Sequence, residues 1–94
     1  MSSEVIAESL FRVKEKNGST SLIQIILKRP VQNIDWQCDV EIKSSEETMV
    51  HKIFGVDSYQ ALRLAVKFAE VRIDSFRKEY GERFSFFDDD KSTN

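Results

Sequence analysis

The sequence predicts an α+β fold, in which a four-stranded antiparallel meander leads into one long C-terminal helix packed on one face, as a two-layer sandwich. Three observations predict it. Apolar and polar residues alternate up to residue 54, an Asn-Gly pair separates the first two alternating segments, and helical periodicity begins after residue 57. We expect a single domain at residues 1–87 and a disordered acidic tail at residues 88–94.

Each strand is predicted from a period of two between apolar and polar side chains. The pattern marks residues 5–14, 22–28, 35–43 and 48–54. Asn17 and Gly18 lie between the first two segments and favour a type I′ hairpin turn, because both residue types tolerate positive φ. Pro30 ends the second segment, since proline cannot donate to a hydrogen-bond ladder. Gln32-Asn33 is predicted to be a turn.

The helix is predicted over residues 58–80, a length of roughly 35 Å. Asp57 can accept hydrogen bonds from the free N–H groups of the first turn, and Gln60 can reach back to it, which makes a capping box. Gly55 suits a turn out of the preceding strand, and Gly81 supplies a C-terminal stop.

The apolar arc of this helix is wider than packing on one sheet requires, and Arg72 interrupts it. Either Arg72 lies along the margin with its charge in water, or a second surface covers part of the arc. If Arg72 is buried, it needs a carboxylate partner. Trp36, Phe68 and Arg72 define a candidate ligand pocket between helix and sheet.

Two groups of apolar side chains are candidates for a protein interface. They are Ile6, Leu10, Leu22 and Ile26, which alternate onto the predicted sheet face away from the helix, and Phe84, Phe86 and Phe87, which follow the helix. The first group forms one patch if the strand faces are assigned correctly, since a one-residue slip would swap them. The second group either folds back onto the domain, which is the commoner outcome, or docks on a partner.

Residues that catalysis or metal binding would need are scarce. The chain has one histidine, His51, and one cysteine, Cys38, which are too few for a catalytic triad or a zinc site. We predict a strand position at the sheet surface for His51 and a core position for Cys38. Asp35, Asp39 and Glu41 share the polar face of one strand, which is compatible with a hard cation but more simply explained by solvation. We therefore predict no catalytic residue, cofactor or metal.

Composition excludes further classes of function. A net charge of -2 argues against binding to nucleic acid driven by charge. No apolar run approaches the length that spans a membrane, and the first residues lack the basic region of a signal peptide. A single cysteine cannot form an internal disulfide, so we expect a cytoplasmic protein.

The helix start resembles the attachment motif of acyl and peptidyl carrier proteins. In those proteins an Asp-Ser pair, usually followed by leucine, opens a helix, and the serine carries phosphopantetheine. Asp57-Ser58 matches the pair, whereas Tyr59 replaces the leucine and the upstream residues are predicted strands. The resemblance implies a carrier function at Ser58, and a capped helix start explains the same two residues.

A broader resemblance covers residues 35–76. Trp36-x-Cys38, followed by a strand that ends in Gly55-x-Asp57-Ser58-x-Gln60-Ala61-Leu62, is similar to a group of small uncharacterised bacterial proteins. In that group a short β-meander leads into a helix that opens with Asp-Ser-x-Gln-Ala-Leu. The resemblance implies a bacterial cytoplasmic source and the same fold, and it implies no activity.

These observations favour a small non-enzymatic domain that acts through protein contacts. We expect it to self-associate as a homodimer through the sheet face or the wide helix arc. The alternatives are a small-ligand binding module at the candidate pocket and, least favoured, the carrier function at Ser58.

Overall fold

The computed structural model describes residues 4–87, and within them the protein is α+β. The elements are β1 (Val5–Lys14), β2 (Thr20–Lys28), β3 (Val31–Gln32), β4 (Trp36–Lys43), β5 (Thr48–Gly55), α1 (Ser58–Tyr80), a 3₁₀ turn (Gly81–Arg83) and β6 (Phe84–Phe86). The predicted class and the single C-terminal helix are confirmed. The predicted count of four strands is wrong, because the described residues form six strands in one sheet. The tail predicted at residues 88–94 lies outside the described residues.

All strand pairs in the sheet are antiparallel. β1, β2, β4 and β5 follow one another across it, and β6 adds to the other side of β1. β3 continues along the same side of β4 as β2, since Leu27 lies opposite Val40 and Val31 lies opposite Gln37. Pro30 separates β2 from β3, and the pairing shifts by one residue across it. The two additional strands are two and three residues long, which is too short for an alternating pattern to mark them.

The hairpin between β1 and β2 forms where the Asn-Gly pair predicts it, but the turn type is different. Among residues 4–87 only glycines have positive φ, so Asn17 does not adopt the geometry of a type I′ turn. Gly18 has φ 93°, and its N–H donates to the carbonyl of Glu15 at 3.0 Å. The side chain of Asn17 accepts the N–H of Ser19 at 2.9 Å and fixes the loop from within.

The core lies between α1 and the sheet face that carries Phe11, Ile25 and Val40, all of them buried. We call this the helix-side face and the opposite one the outer face. The helix contributes a row of three small residues, Ala61, Ala65 and Ala69, to the same core. Alanines spaced by four residues share one face of a helix. Their small side chains let the helix backbone approach the strands closely.

The ends of α1 are fixed by the predicted residues. The Asp57 carboxylate accepts the N–H of Gln60 at 2.7 Å, and the Gln60 side chain accepts the N–H of Val56 at 2.7 Å. The capping box is therefore present, with Gln60 reaching one residue further back than predicted. Gly81, at φ 60°, donates its N–H to the carbonyl of Arg77 and ends the helix. Across residues 4–87, no helix combines the length and the apolar character needed to cross a membrane.

Candidate interaction surface

The three residues of the candidate pocket are spread along the protein. Trp36 lies opposite Gly55 at one end of β5, whereas Phe68 contacts the ring of His51 with centroids 4.7 Å apart. Gly55 and His51 are four positions apart along the strand, or roughly 13 Å. Trp36 and Phe68 are both partly buried and pack against the core. Surface grooves of about 620 and 550 Å³ are lined by other residues.

Arg72 lies at the helix margin. Its guanidinium stacks over the ring of Phe76, with 5.4 Å between the guanidinium carbon and the ring centroid. Its Nε atom is buried and has no hydrogen-bond partner among the described residues. The stacking accounts for the position of Arg72 on the apolar arc, because a guanidinium plane packs favourably on an aromatic face.

His51 and Cys38 serve the packing of strands and helix. The Nε2 atom of His51 is buried beside Phe68 and has no hydrogen-bond partner among the described residues. Cys38 is fully buried, as predicted, and its thiol donates to the carbonyl of Lys28 at 3.1 Å. Burial, and secondarily the charge of Asp39, raises the pKa of the Cys38 thiol. A protonated, inaccessible thiol is a poor nucleophile and a poor metal ligand.

The carboxylates on β4 are engaged with neighbouring side chains. Glu41 forms an ion pair with Lys28 at 2.9 Å and lies 3.9 Å from Lys43. Asp39 accepts a hydrogen bond from the side chain of Gln37 at 2.7 Å. Between residues 4 and 87 no group of three or more histidine, cysteine, aspartate or glutamate side chains is placed to hold a metal ion.

Ser58 is exposed as the first residue of α1. The preceding Asp57 uses its carboxylate to cap the helix. The Asp-Ser pair thus has a structural role that is independent of any attached group.

On the outer face, the residues of the first predicted interface group are partly buried and separated by polar side chains. Leu10, Leu22 and Ile26 alternate onto it as expected, but Ile26 is only 5% exposed whereas Leu22 is 43% exposed. Polar side chains surround them. The Gln24 amide donates to Glu8 beside Ile26, and the Lys28–Glu41 ion pair lies next to it. Ile6 is exposed at the irregularity near the start of β1. The face is therefore mixed rather than a continuous apolar patch.

The aromatic segment after the helix folds back onto the domain. Phe84 is buried and stacks on Phe11 with ring centroids 4.6 Å apart. This position removes Phe84 from any exposed interface. Phe86 contacts Phe11 at 4.8 Å but stays partly exposed, and Phe87, also partly exposed, lies under the guanidinium of Arg12 at 6.0 Å. Pairing of β6 with β1 holds the segment in place.

A second group of exposed apolar side chains follows β5 into the helix start and was not predicted from the sequence. We call it the β5 surface, and its exposed members are Met49, Val50, Phe54, Val56 and Tyr59. Val50 and Phe54 lie on the outer face, opposite Glu41 and Gln37, whereas Met49 lies opposite Ile42 on the helix-side face. Phe54 is 53% and Tyr59 72% exposed. The available signal was that the fourth alternating segment is apolar at both odd and even positions, and that no later strand is predicted to cover it.

A family model described as a domain of unknown function, DUF6968, matches residues 7–93. The chain belongs to this family. The match includes every element from β1 to β6 except the first two residues of β1, so the fold described here is that of a DUF6968 domain. No curated protein and no solved structure matches the chain.

Proposed function

We propose that this DUF6968 protein is a non-enzymatic interaction domain that self-associates as a homodimer. The carrying observation is the β5 surface, where five large apolar side chains are exposed within residues 49–59: Met49, Val50, Phe54, Val56 and Tyr59. Val50 and Phe54 of this group share the outer face, opposite Glu41 and Gln37, and exposed apolar patches are typical of sites that bind protein. A second copy is the partner always present at the same concentration, and two-fold pairing is the commonest way to cover such a surface.

The other parts of the proposal follow from the same structure. A non-enzymatic role is supported by two reactive side chains that already have structural partners. The Cys38 thiol donates to a backbone carbonyl in the core, and Glu41 forms an ion pair with Lys28. A cytoplasmic location is supported by the single thiol, which suits a reducing compartment. We infer a two-layer sandwich, supported by the alanine row of α1 lying in one core with the strands.

Sedimentation equilibrium across a range from about one to a hundred micromolar tests the proposal. The expected result is a mass that rises with concentration to twice the chain mass of 10.9 kDa. A mass equal to that of one chain at tens of micromolar would contradict self-association. Phe87→Ala removes an exposed ring outside the β5 surface and should leave the mass unchanged.

A further inference from the structure

The edge of β5 is open. Among residues 4–87, β5 pairs with β4 on one side and with no strand on the other. Its eight residues pair with β4 without a register shift, and it contains no proline. A regular unpaired edge presents backbone N–H and C=O groups that another strand can bind. The opposite edge of the sheet is less regular, because the three-residue β6 covers only part of β1.

The wide apolar arc of α1 overhangs this edge. Phe68 contacts His51 of β5, so this side of the helix faces the edge strand. Leu64 and Val71 lie four residues before and three after Phe68, which places them on the same side of the helix. Val71 is 54% exposed. The part of the arc that the sheet leaves uncovered therefore lies beside the open edge.

We propose that a second copy of the chain binds at this edge, with the two β5 strands pairing antiparallel about a two-fold axis through His51. This inference rests on the self-association proposed above and places the interface at the backbone edge of β5, with Val50 and Phe54 remaining on the outer face of the joined sheet. The pairing joins the two sheets into one, and it places the two helices side by side on the same face.

Symmetry and charge select the pairing register. A two-fold axis perpendicular to the sheet lies midway between the two β5 strands. It must pass between the two copies of one residue, because residues opposite each other point to the same face. Axes through His51 or Lys52 each pair seven residues of the strand, and other positions pair fewer. An axis through Lys52 sets the two lysines opposite each other, which is unfavourable. An axis at His51 instead sets the two histidines, which carry no formal charge when neutral, opposite each other and Val50 opposite the partner's Lys52.

The helices fit the same arrangement. α1 packs most extensively on β5 and β4, and near its end Phe76 and Tyr80 stack with Phe84 of β6 on the far side of the sheet. With strands about 4.8 Å apart, two helices related by the proposed axis would lie about 10 Å from each other where each is over β4 and β5. Packed helices are separated by about 8–10 Å. The exposed side of Val71 would then be covered by the partner helix.

Opposite charges at Val50 test this register. Val50→Lys sets a lysine opposite Lys52 of the second copy, twice by symmetry, whereas Val50→Glu sets two Glu–Lys pairs there. We expect the dimer of Val50→Lys to dissociate on the order of tenfold more readily than that of Val50→Glu, as measured by sedimentation equilibrium. Leu22→Lys is the control, since it charges a similarly exposed position on the same outer face but on β2, away from the β5 edge, and should leave dimerisation unchanged. Circular dichroism checks that each variant is folded.

The outcomes separate the two proposals. A dimeric wild-type protein with equal dissociation constants for Val50→Lys and Val50→Glu would overturn the β5 pairing and leave self-association standing. A dimer that is lost only in Leu22→Lys would place the interface around Leu22 on the outer face. That result would also overturn the β5 pairing and leave self-association standing. A monomeric wild-type protein at tens of micromolar would overturn both.

Discussion

Replacing Gly55 by alanine should destabilise the protein, because a Cβ atom at this position meets the start of the helix. An ideal Cβ would lie 2.4 Å from the Ala61 nitrogen and 2.9 Å from its Cα. Non-bonded heavy atoms attract best at about 3.5–4.0 Å, so the helix start must move by about 1 Å. The obstacle is backbone, which has no alternative rotamer.

The size of the effect follows from two opposing terms. Overpacking a close contact costs about 1–3 kcal/mol. Alanine also restricts the unfolded chain, which offsets about 0.4–1 kcal/mol of that cost. The expected net loss is about 1–2 kcal/mol. For a domain of this size it lowers the melting temperature by about 5–15 °C.

Unfolding is followed by circular dichroism and by the fluorescence of Trp36, the single tryptophan, which lies opposite Gly55. Ala61→Gly in the same chain should not restore stability, because the clash involves the Ala61 backbone and not its side chain. A melting temperature of Gly55→Ala within about 2 °C of the wild type would refute the close approach of helix and strand. Rescue by Ala61→Gly would show that the side chain is the obstacle.

Four further predictions concern stability and reactivity. Asp57→Ala should cost about 1 kcal/mol in urea unfolding, because it removes the acceptor of the first-turn N–H, and an unchanged midpoint would contradict the cap. Phe84→Ala should cost about 3–5 kcal/mol because the ring is buried, whereas Phe87→Ala should change stability by less than about 1 kcal/mol; equal losses would argue against the fold-back. Arg72→Leu should leave thermal stability within about 0.5 kcal/mol or raise it, since the buried Nε lacks an acceptor, and a larger loss would reveal a hidden partner. The Cys38 thiol should react with a disulfide reagent only after unfolding. Because its pKa is raised in the folded state, stability should fall as the pH rises above the ordinary thiol range, and Cys38→Ala should lose that decline.

The sequence predicts elements whose signals are local. β1 and α1 begin and end where the alternation and the caps place them. These signals depend on residues a few positions apart, such as Asp57 and Gln60. The type of the first turn was not predictable from Asn17-Gly18 alone, because the side chain of Asn17 bonds to Ser19 and stabilises a longer loop.

Burial on the outer face depends on partners distant in sequence. Ile26 is covered because Glu41, which lies opposite it on the neighbouring strand β4 but fifteen residues later in the sequence, pairs with Lys28. Alternation assigns Ile26 to the correct face but carries no information about which long polar side chains cover it. Alternation is equally silent about position along the strands: Trp36 and Phe68 of the candidate pocket are both core-facing but lie at different heights on the sheet.

Position within the sheet is the property that the alternating pattern does not encode. The sequence distinguishes the faces of a strand, yet β5 becomes an edge only because β6 returns to β1 at the far side of the sheet. The same topology leaves the overhanging side of α1, with Val71, uncovered beside β5. Among residues 4–87 the unpaired strand edge is a template for pairing, the uncovered helix side exposes apolar surface to water, and one second copy related by the proposed two-fold axis would cover both. A partner that bound either feature alone would leave the other exposed.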